Sequence, residues 1–357
     1  PRRFAPVRHI SIYSKFLLHP LWRRRILTAC AGRTKTGKGE CDEKYGVLGA
    51  LAWLGRQGTR AIAVLAMIGI AAPPIGEFLQ PVFTLAVIVL LSSAFLRLDI
   101  ARLRHALRRP ALVIAATTWT LLAIPLLIGG AGLALGLEDR SPALFLGVTL
   151  HAVASPMVAA PAFAALMGLD ATLVLFALVA STMAIPLTAP LLAQFFLGPA
   201  ANLSPGSLGL GLFAILGVSA LAAAAIRRFA SLRAIERYKD EINGVNVVFL
   251  FAFVAVTTRG VQASFRADPV LVLAITGFAF ALFFAVLGVT ILVFLRAGKD
   301  RAFALGFMTA QRNMGLMVAA ASGVLPDLTW LYFALTQFPI YLTPALLHPL
   351  ARRTTRS

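Results

Sequence analysis

One run of strongly polar side chains interrupts an otherwise apolar part of this sequence. Residues 308–316 read MTAQRNMGL, so Gln311, Arg312 and Asn313 stand side by side in a segment apolar enough to lie in a membrane. A charged side chain near a bilayer centre costs at least ~3 kcal/mol on insertion scales. A buried guanidinium therefore needs backbone carbonyls, water or an anionic ligand around it. We predict a functional role for Arg312, with Gln311 and Asn313 as its neighbours in the site.

A second apolar segment, HAVASPMVAAPAFAALMGLD, carries Pro156 and Pro161 within one span. Proline has no backbone N–H and clashes with the preceding helical turn. The carbonyls that it frees must find partners in neighbouring helices or in a polar cavity. The spacing predicts a discontinuous helix around Pro156 and Pro161, with Ser155 as a further site candidate, although proline kinks without function are also common in membrane helices. His151 either joins this site or hydrogen-bonds a neighbouring carbonyl, and the sequence leaves both readings open.

Composition places these segments in a membrane protein. Of the 357 residues, 59% are hydrophobic and 13% are charged, whereas a soluble domain has roughly 25% charged residues. The formal net charge of +19 does not indicate a nucleic-acid partner, because thirteen of the 33 Lys and Arg fall in residues 1–60 and most others lie in short loops. That distribution is the positive-inside pattern. We predict an integral membrane protein whose partner is the lipid bilayer, with no nucleic acid.

The apolar runs predict ten transmembrane helices, since a spanning helix needs ~20 apolar residues. Four segments on one side of these helices together hold 16 Lys and Arg, whereas the loops on the other side hold Arg140, Arg259 and Arg266. We therefore predict cytoplasmic N- and C-termini in the cell (inner) membrane. The predicted spans are about 61–79, 81–96, 110–132, 143–168, 171–197, 207–226, 243–258, 270–295, 302–324 and 328–349.

Two similar segments indicate an internal duplication. Residues 170–178 read DATLVLFAL and residues 327–335 read DLTWLYFAL, and each runs into a proline-rich end. Copies of five spans each must have opposite orientations, which is the inverted-repeat plan of many secondary transporters. A match in leucine-rich sequence can also arise by chance. The predicted organisation is a basic tail without fixed structure (1–46), a ten-helix domain (47–349) with repeats at about 61–197 and 207–349, and a basic tail (350–357).

These motifs resemble the bile acid:sodium symporter family, whose members move organic anions. The stretch APAFAALMGLDATLVLFALVASTMAIPLTAPLL resembles the family's fourth and fifth helices, TAQRNMGL resembles its ninth, and RRPALVIAATTWTLLAIPLL resembles its third. The resemblance spans about residues 61–349. It implies an all-α membrane protein with two inverted five-helix repeats, in which a core domain carrying two crossed broken helices packs against a panel domain.

The sequence departs from this family at the sodium ligands. The family places a glutamate and a glutamine in the ninth helix, and the resemblance puts Met308 and Arg312 at those positions. The family's Ser-Asn pair of the fourth helix falls at Ala160 and Pro161, and a glutamine of the third helix falls at Thr120. Loss of the carboxylate removes the charge that favours a cation, and an arginine adds a repulsion of ~4 kcal/mol at 4 Å for an effective dielectric constant near 20. We expect no sodium at these sites, no metal ligands and no other cofactor.

The predicted function is secondary transport of a small organic anion without sodium, with Arg312 in place of the sodium ion. A ligand-binding membrane sensor or a transport-inactive relative is the alternative. An intramembrane enzyme is more remote, since the sequence has no H-E-x-x-H, no G-x-S-x-G and no paired intramembrane aspartates. Ser181, Thr182 and Thr309 are site candidates that could equally bond carbonyls one turn earlier. The full set of candidates is Arg312, Asn313, Gln311, Thr309, Ser181, Thr182, Pro161, Pro156, Ser155, Thr120, Gln337 and His151.

Overall fold

The computed structural model describes residues 38–57, 68, 72–96, 110–198, 204–230, 232–321 and 325–354. The chain divides into two compact units, Pro1–Gly49 and Ala50–Ser357. Of the first unit, only the beginning of one helix is described. The second unit is built from helices throughout its described part, apart from one isolated antiparallel bridge between two short non-helical segments.

The helices follow one another with short connections. Three of these connections are themselves helical turns: a 3₁₀ turn at Gln80–Val82, a π-helical turn at Trp119–Ala123 and a 3₁₀ turn at Leu295–Ala297. The helices are α1 (Lys38–Gln57), α2 (Pro73–Leu79), α3 (Phe83–Leu96), α4 (Pro110–Thr118), α5 (Ile124–Ala134), α6 (Leu137–Arg140), α7 (Pro142–Val153), α8 (Ala160–Met167), α9 (Ala171–Leu197), α10 (Pro205–Phe229), α11 (Leu232–Arg237), α12 (Lys239–Thr258), α13 (Val261–Ala267), α14 (Pro269–Phe294), α15 (Lys299–Ala310), α16 (Met314–Ala320) and α17 (Asp327–Thr354).

Several helical stretches are suited to a bilayer. Their outward side chains are apolar, as shown by Leu187, Leu221 and Leu292, which are 73%, 71% and 67% exposed. Only a hydrocarbon environment satisfies such surfaces on many helices at once. The protein is therefore an all-α integral membrane protein. Six stretches in the described residues are long and apolar enough to span, namely Pro73–Leu96, Ala111–Ala134, Ala171–Leu197, Pro205–Phe229, Lys239–Ala267 and Pro269–Ala297.

The boundary between the first two predicted spans is absent from the structure. We predicted a boundary near residue 80, but Pro73–Leu96 is one continuous helical stretch. Pro81 lies in the first turn of a 3₁₀ segment, where its missing N–H costs little. Most of the remaining predicted first span lies outside the described residues. Residues 38–46, which we expected to lack fixed structure, begin α1.

Two predicted spans are broken where the sequence predicted discontinuity. Residues 154–159 separate α7 from α8, and residues 311–313 separate α15 from α16. Proline alone does not cause the breaks, because α9 continues through Pro186 and Pro190. The two halves of each broken helix also belong to different hydrophobic clusters. One cluster contains residues of α7 and α16 together with Phe253 and Phe333, and the other contains residues of α8 and α15 together with Phe283.

Candidate functional site

The two helix breaks pair with each other. Met157 N donates to Gln311 O at 2.7 Å, and Asn313 N donates to Ser155 O at 2.8 Å. Pro156 and Arg312 stand opposite each other in this short antiparallel bridge. Backbone groups away from water need partners, and each break supplies them for the other. The pairing therefore brings Arg312 beside the proline-containing break.

The Arg312 side chain is buried, with 2% of its surface exposed. Its Nη1 donates to Ala154 O at 2.7 Å and to Thr120 O at 3.2 Å, and its Nη2 donates to Thr120 O at 3.2 Å. Its Nε has no hydrogen-bond partner among the described residues. No carboxylate forms an ion pair with it in the part of the chain that the structure describes. Backbone carbonyls from two separate segments therefore hold this cation.

The Thr120 carbonyl is free because of the local helix geometry. Trp119–Ala123 is π-helical, and Ile124 N donates to Trp119 O, five residues earlier. In the same register the next donor would serve Thr120 O, but the next residue is Pro125, which has no N–H. Thr120 was a predicted site residue, but the proline five residues later, which marks its carbonyl as an acceptor, was not among the predicted features.

Gln311 bonds a second backbone carbonyl that a proline leaves without its helical donor. Its Nε2 donates to Ile340 O at 3.1 Å. A helical N–H four residues later would serve that carbonyl, but the residue there is Pro344. Asn313 caps α16, since its Oδ1 accepts from Leu316 N at 3.2 Å. Within the polar run, Gln311 and Asn313 therefore have structural bonds, and Arg312 carries the charge.

The other polar candidates differ in their hydrogen bonds. The hydroxyl oxygens of Thr309 and Thr120 lie 3.1 Å apart and are hydrogen-bonded to each other. The buried hydroxyls of Ser181 and Thr182 have no hydrogen-bond partner among the described residues, so neither bonds a carbonyl one turn earlier. Gln337 Nε2 donates to Phe333 O at 3.3 Å, which is a bond local to α17.

The proline break lies at Ser155 and Pro156 rather than at Pro161. Pro161 stands in the first turn of α8, where proline is tolerated. Ala160 and Pro161, the positions that the resemblance gives to the family's Ser-Asn pair, directly follow the break. Ala160 begins α8 and lies outside the paired backbone.

His151 lies one turn before the first break and is 6% exposed. Its Nδ1 is 3.3 Å from Tyr332 Oη on α17, within hydrogen-bonding distance. Its backbone oxygen accepts from Ala154 N at 3.3 Å. The sequence left open whether this side chain joins the site or bonds a neighbouring carbonyl. The structure shows a bond to the side chain of a distant residue. Tyr332 was not among the predicted site residues.

Two discontinuous helices that meet around a buried cation, in an all-helical membrane protein, define the class of membrane transporters with broken helices. The chain belongs to the sodium bile acid symporter family, whose model matches residues 84–267. The match includes the first break, and the second break lies beyond it. Family membership indicates a membrane transporter rather than an enzyme. A comparison with curated proteins finds no match.

Proposed function

We propose that this protein is a secondary transporter of an organic anion that works without sodium, with the Arg312 guanidinium in place of a bound cation. One observation carries the proposal. Arg312 joins the first helix break to the π-helical turn through Ala154 O and Thr120 O, without an ion-paired carboxylate among the described residues. A mobile cation at a helix crossing would hold carbonyls together in the same way.

The groups around this position do not fit a sodium ion. Sodium requires several oxygen ligands that are free to point at it. Here the guanidinium already takes two carbonyls, and the Thr120 and Thr309 hydroxyls are bonded to each other. The position that the resemblance assigns to the glutamate is Met308, whose side chain is fully buried and brings no charge.

The same groups favour an anion. The Nε–H of Arg312 is buried without a partner among the described residues, as is the Ser155 hydroxyl beside the bridge. A guanidinium offers donors in a planar fork that matches a carboxylate, and it remains charged inside a protein. We infer that an anionic group of the substrate completes this site, with the unpaired hydroxyls of Ser181 and Thr182 as further donors.

The proposal includes the architecture of the transport cycle. It comprises ten spans in two inverted repeats, both termini in the cytoplasm of a cell (inner) membrane, and elevator-like or rocking movement of a core domain against a panel domain. The backbone hydrogen bonds between the two breaks support a core domain in which both broken helices move as one body. The two paired breaks would keep their positions relative to each other while the core domain moves.

Counterflow in proteoliposomes tests the function. Purified protein is reconstituted and loaded in turn with monocarboxylates, dicarboxylates, sulfonates and steroid anions, and exchange is measured with sodium and with choline in its place. We expect at least one anion to exchange equally well in both media. Exchange only with sodium would contradict the replacement of sodium, and no exchange of any anion would contradict transport.

Arg312 variants test the role of the cation. We expect Arg312→Gln to abolish anion binding, because it removes the charge without building a sodium site. Arg312→Gln combined with Met308→Glu should restore part of the binding, and only in sodium. Arg301→Gln is the matched control, since Arg301 also bonds a backbone carbonyl but lies in the first turn of α15. Wild-type transport by Arg312→Gln would show that the arginine does not replace a cation.

A ligand-binding protein that does not transport is the second candidate. The three hydrogen bonds of Arg312 favour it, because they could lock the two breaks together permanently. In that case an anion would bind the purified protein, as measured by calorimetry, while counterflow stayed at the level of protein-free liposomes.

A further inference from the structure

His151 and Tyr332 form a buried polar pair that anion binding at Arg312 does not explain. Tyr332 is fully buried, His151 is 6% exposed, and the centroids of their rings lie 5.8 Å apart. Gly147, one turn before His151, gives the tyrosine ring its room, since a Cβ there would lie 2.9 Å from Tyr332 Cδ1. The fold therefore builds a specific place for a titratable imidazole in the apolar interior.

Ala154 connects this pair to the buried cation. Its N–H donates to His151 O, and its carbonyl accepts from Arg312 Nη1. A protonated His151 would thus be a second positive charge, on the residue one helical turn before the carbonyl that binds the first. Two cations this close in an apolar environment repel each other, and an anion beside them relieves the repulsion. A proton on His151 and an anion at Arg312 should therefore favour each other's binding.

The charged and titratable groups around α7 leave His151 as the candidate proton carrier. Tyr332 faces it from α17, and Arg312 approaches from the second break. The helices α5, α9 and α16, which also pack on α7, contain no titratable side chain. Tyr341 lies more than two turns beyond Tyr332 on α17. The other ionisable residues of α6 and α17 lie at or near helix ends, namely Glu138, Asp139, Arg140, Asp327, His348, Arg352 and Arg353.

We propose that His151 carries one proton with each transported anion, so that the protein is a proton–anion symporter. This inference rests on the proposed function, since it requires that an anion is transported. Histidine is the side chain whose charge changes most readily near neutral pH. A proton moving through the cycle on His151 would supply the movable charge that a fixed arginine cannot supply.

The test measures protons and anions together. Proteoliposomes containing a pH-sensitive dye, in sodium-free medium, receive whichever of taurocholate, benzenesulfonate and succinate exchanges fastest in counterflow. These ions cross a bilayer poorly, so acidification of the lumen reports transport by the protein. We expect about one proton per anion, and an anion affinity at least ~5-fold higher near pH 6 than near pH 8, the low end of typical coupling between two sites.

Three variants give the decisive comparison. Glu241→Gln removes the half-buried carboxylate at the start of α12 and is the matched control, so it should keep the proton–anion ratio. His151→Gln should reduce the ratio at least ~10-fold and make anion affinity independent of pH. Tyr332→Phe keeps the imidazole and should keep the ratio while changing the pH at which the affinity rises. This variant still tests the proposal if His151→Gln does not fold.

The possible failures are distinguishable. Anion exchange by the wild type without proton movement would overturn proton coupling and leave the proposed function standing. A ratio that His151→Gln does not change would assign the proton to another group and also overturn the proposal. If none of the three anions exchanges, the proposed function fails for these classes, and the inference that rests on it fails as well.

Discussion

Replacing Arg312 by lysine isolates the geometry of its hydrogen bonds from its charge. Both side chains are cations, so the cost of burying the charge remains in the variant. The ammonium group is a single nitrogen and cannot occupy both the Nη1 and the Nη2 positions, which together make three bonds to two carbonyls. At least one charge-assisted bond is lost, and each such bond is worth about 1.5–3 kcal/mol.

The expected consequence is a lower Tm for the purified protein. One kcal/mol shifts Tm by about 2–4 °C in domains of 150–250 residues, and less in longer chains. At ~2 °C per kcal/mol, Arg312→Lys should melt about 3–6 °C below the wild type. Tryptophan fluorescence is a suitable probe, because Trp119 and Trp330 lie in the helical domain. A thiol dye is not suitable, since both cysteines, Cys30 and Cys41, precede residue 50.

Arg301→Lys serves as the control for this measurement. Arg301 Nη1 bonds only Ala297 O, at 3.3 Å, and this bond lies in a single helical turn. The substitution should change the free energy of unfolding by no more than about 0.5 kcal/mol. If Arg312→Lys melts within about 1 °C of this control, the carbonyl contacts of Arg312 do not stabilise the fold, and the argument that it ties the two breaks together is refuted.

Three further predictions concern the contact between α10 and α16, the hydroxyl pair Thr120–Thr309 and the N-terminal segment, with Tm as the common measurement. A Cβ at Gly211 would lie 2.7 Å from a backbone oxygen of α16, whereas a Cβ at Gly217 on the same helix would meet open space. Gly211→Ala should therefore destabilise the fold by about 1–3 kcal/mol, while Gly217→Ala should be neutral or stabilising. Equal effects of the two substitutions would contradict the tight contact. Thr120→Val removes the hydroxyl bond to Thr309 and should cost about 1 kcal/mol, and adding Thr309→Val should cost less than the single effects combined because the bond is already gone. Deleting residues 1–46, of which residues 38–46 begin α1, should leave Tm and anion binding unchanged, since this segment is basic with few periodic apolar positions. Loss of either would show that it belongs to the functional fold.

The membrane class and the two helix breaks could be predicted because they depend on local chemistry. Long apolar runs with few charges identify a membrane protein whatever their packing. A polar triplet around Arg312 is costly inside a continuous membrane helix, so a break there could be expected. Paired prolines are a weaker signal, because α9 continues through Pro186 and Pro190. The boundary of the first spans could not be predicted in the same way, because Pro81 is tolerated at the start of a 3₁₀ turn.

The partners of the polar side chains depend on the tertiary structure. Pro125 and Pro344 are visible in the sequence, and each can free a carbonyl, but nothing local indicates that Arg312 and Gln311 are the donors that reach those carbonyls. The bond between His151 and Tyr332 joins residues that are 181 positions apart. Proline determines where a backbone acceptor is left without its helical donor, whereas the packing of distant helices decides which side chain fills that place.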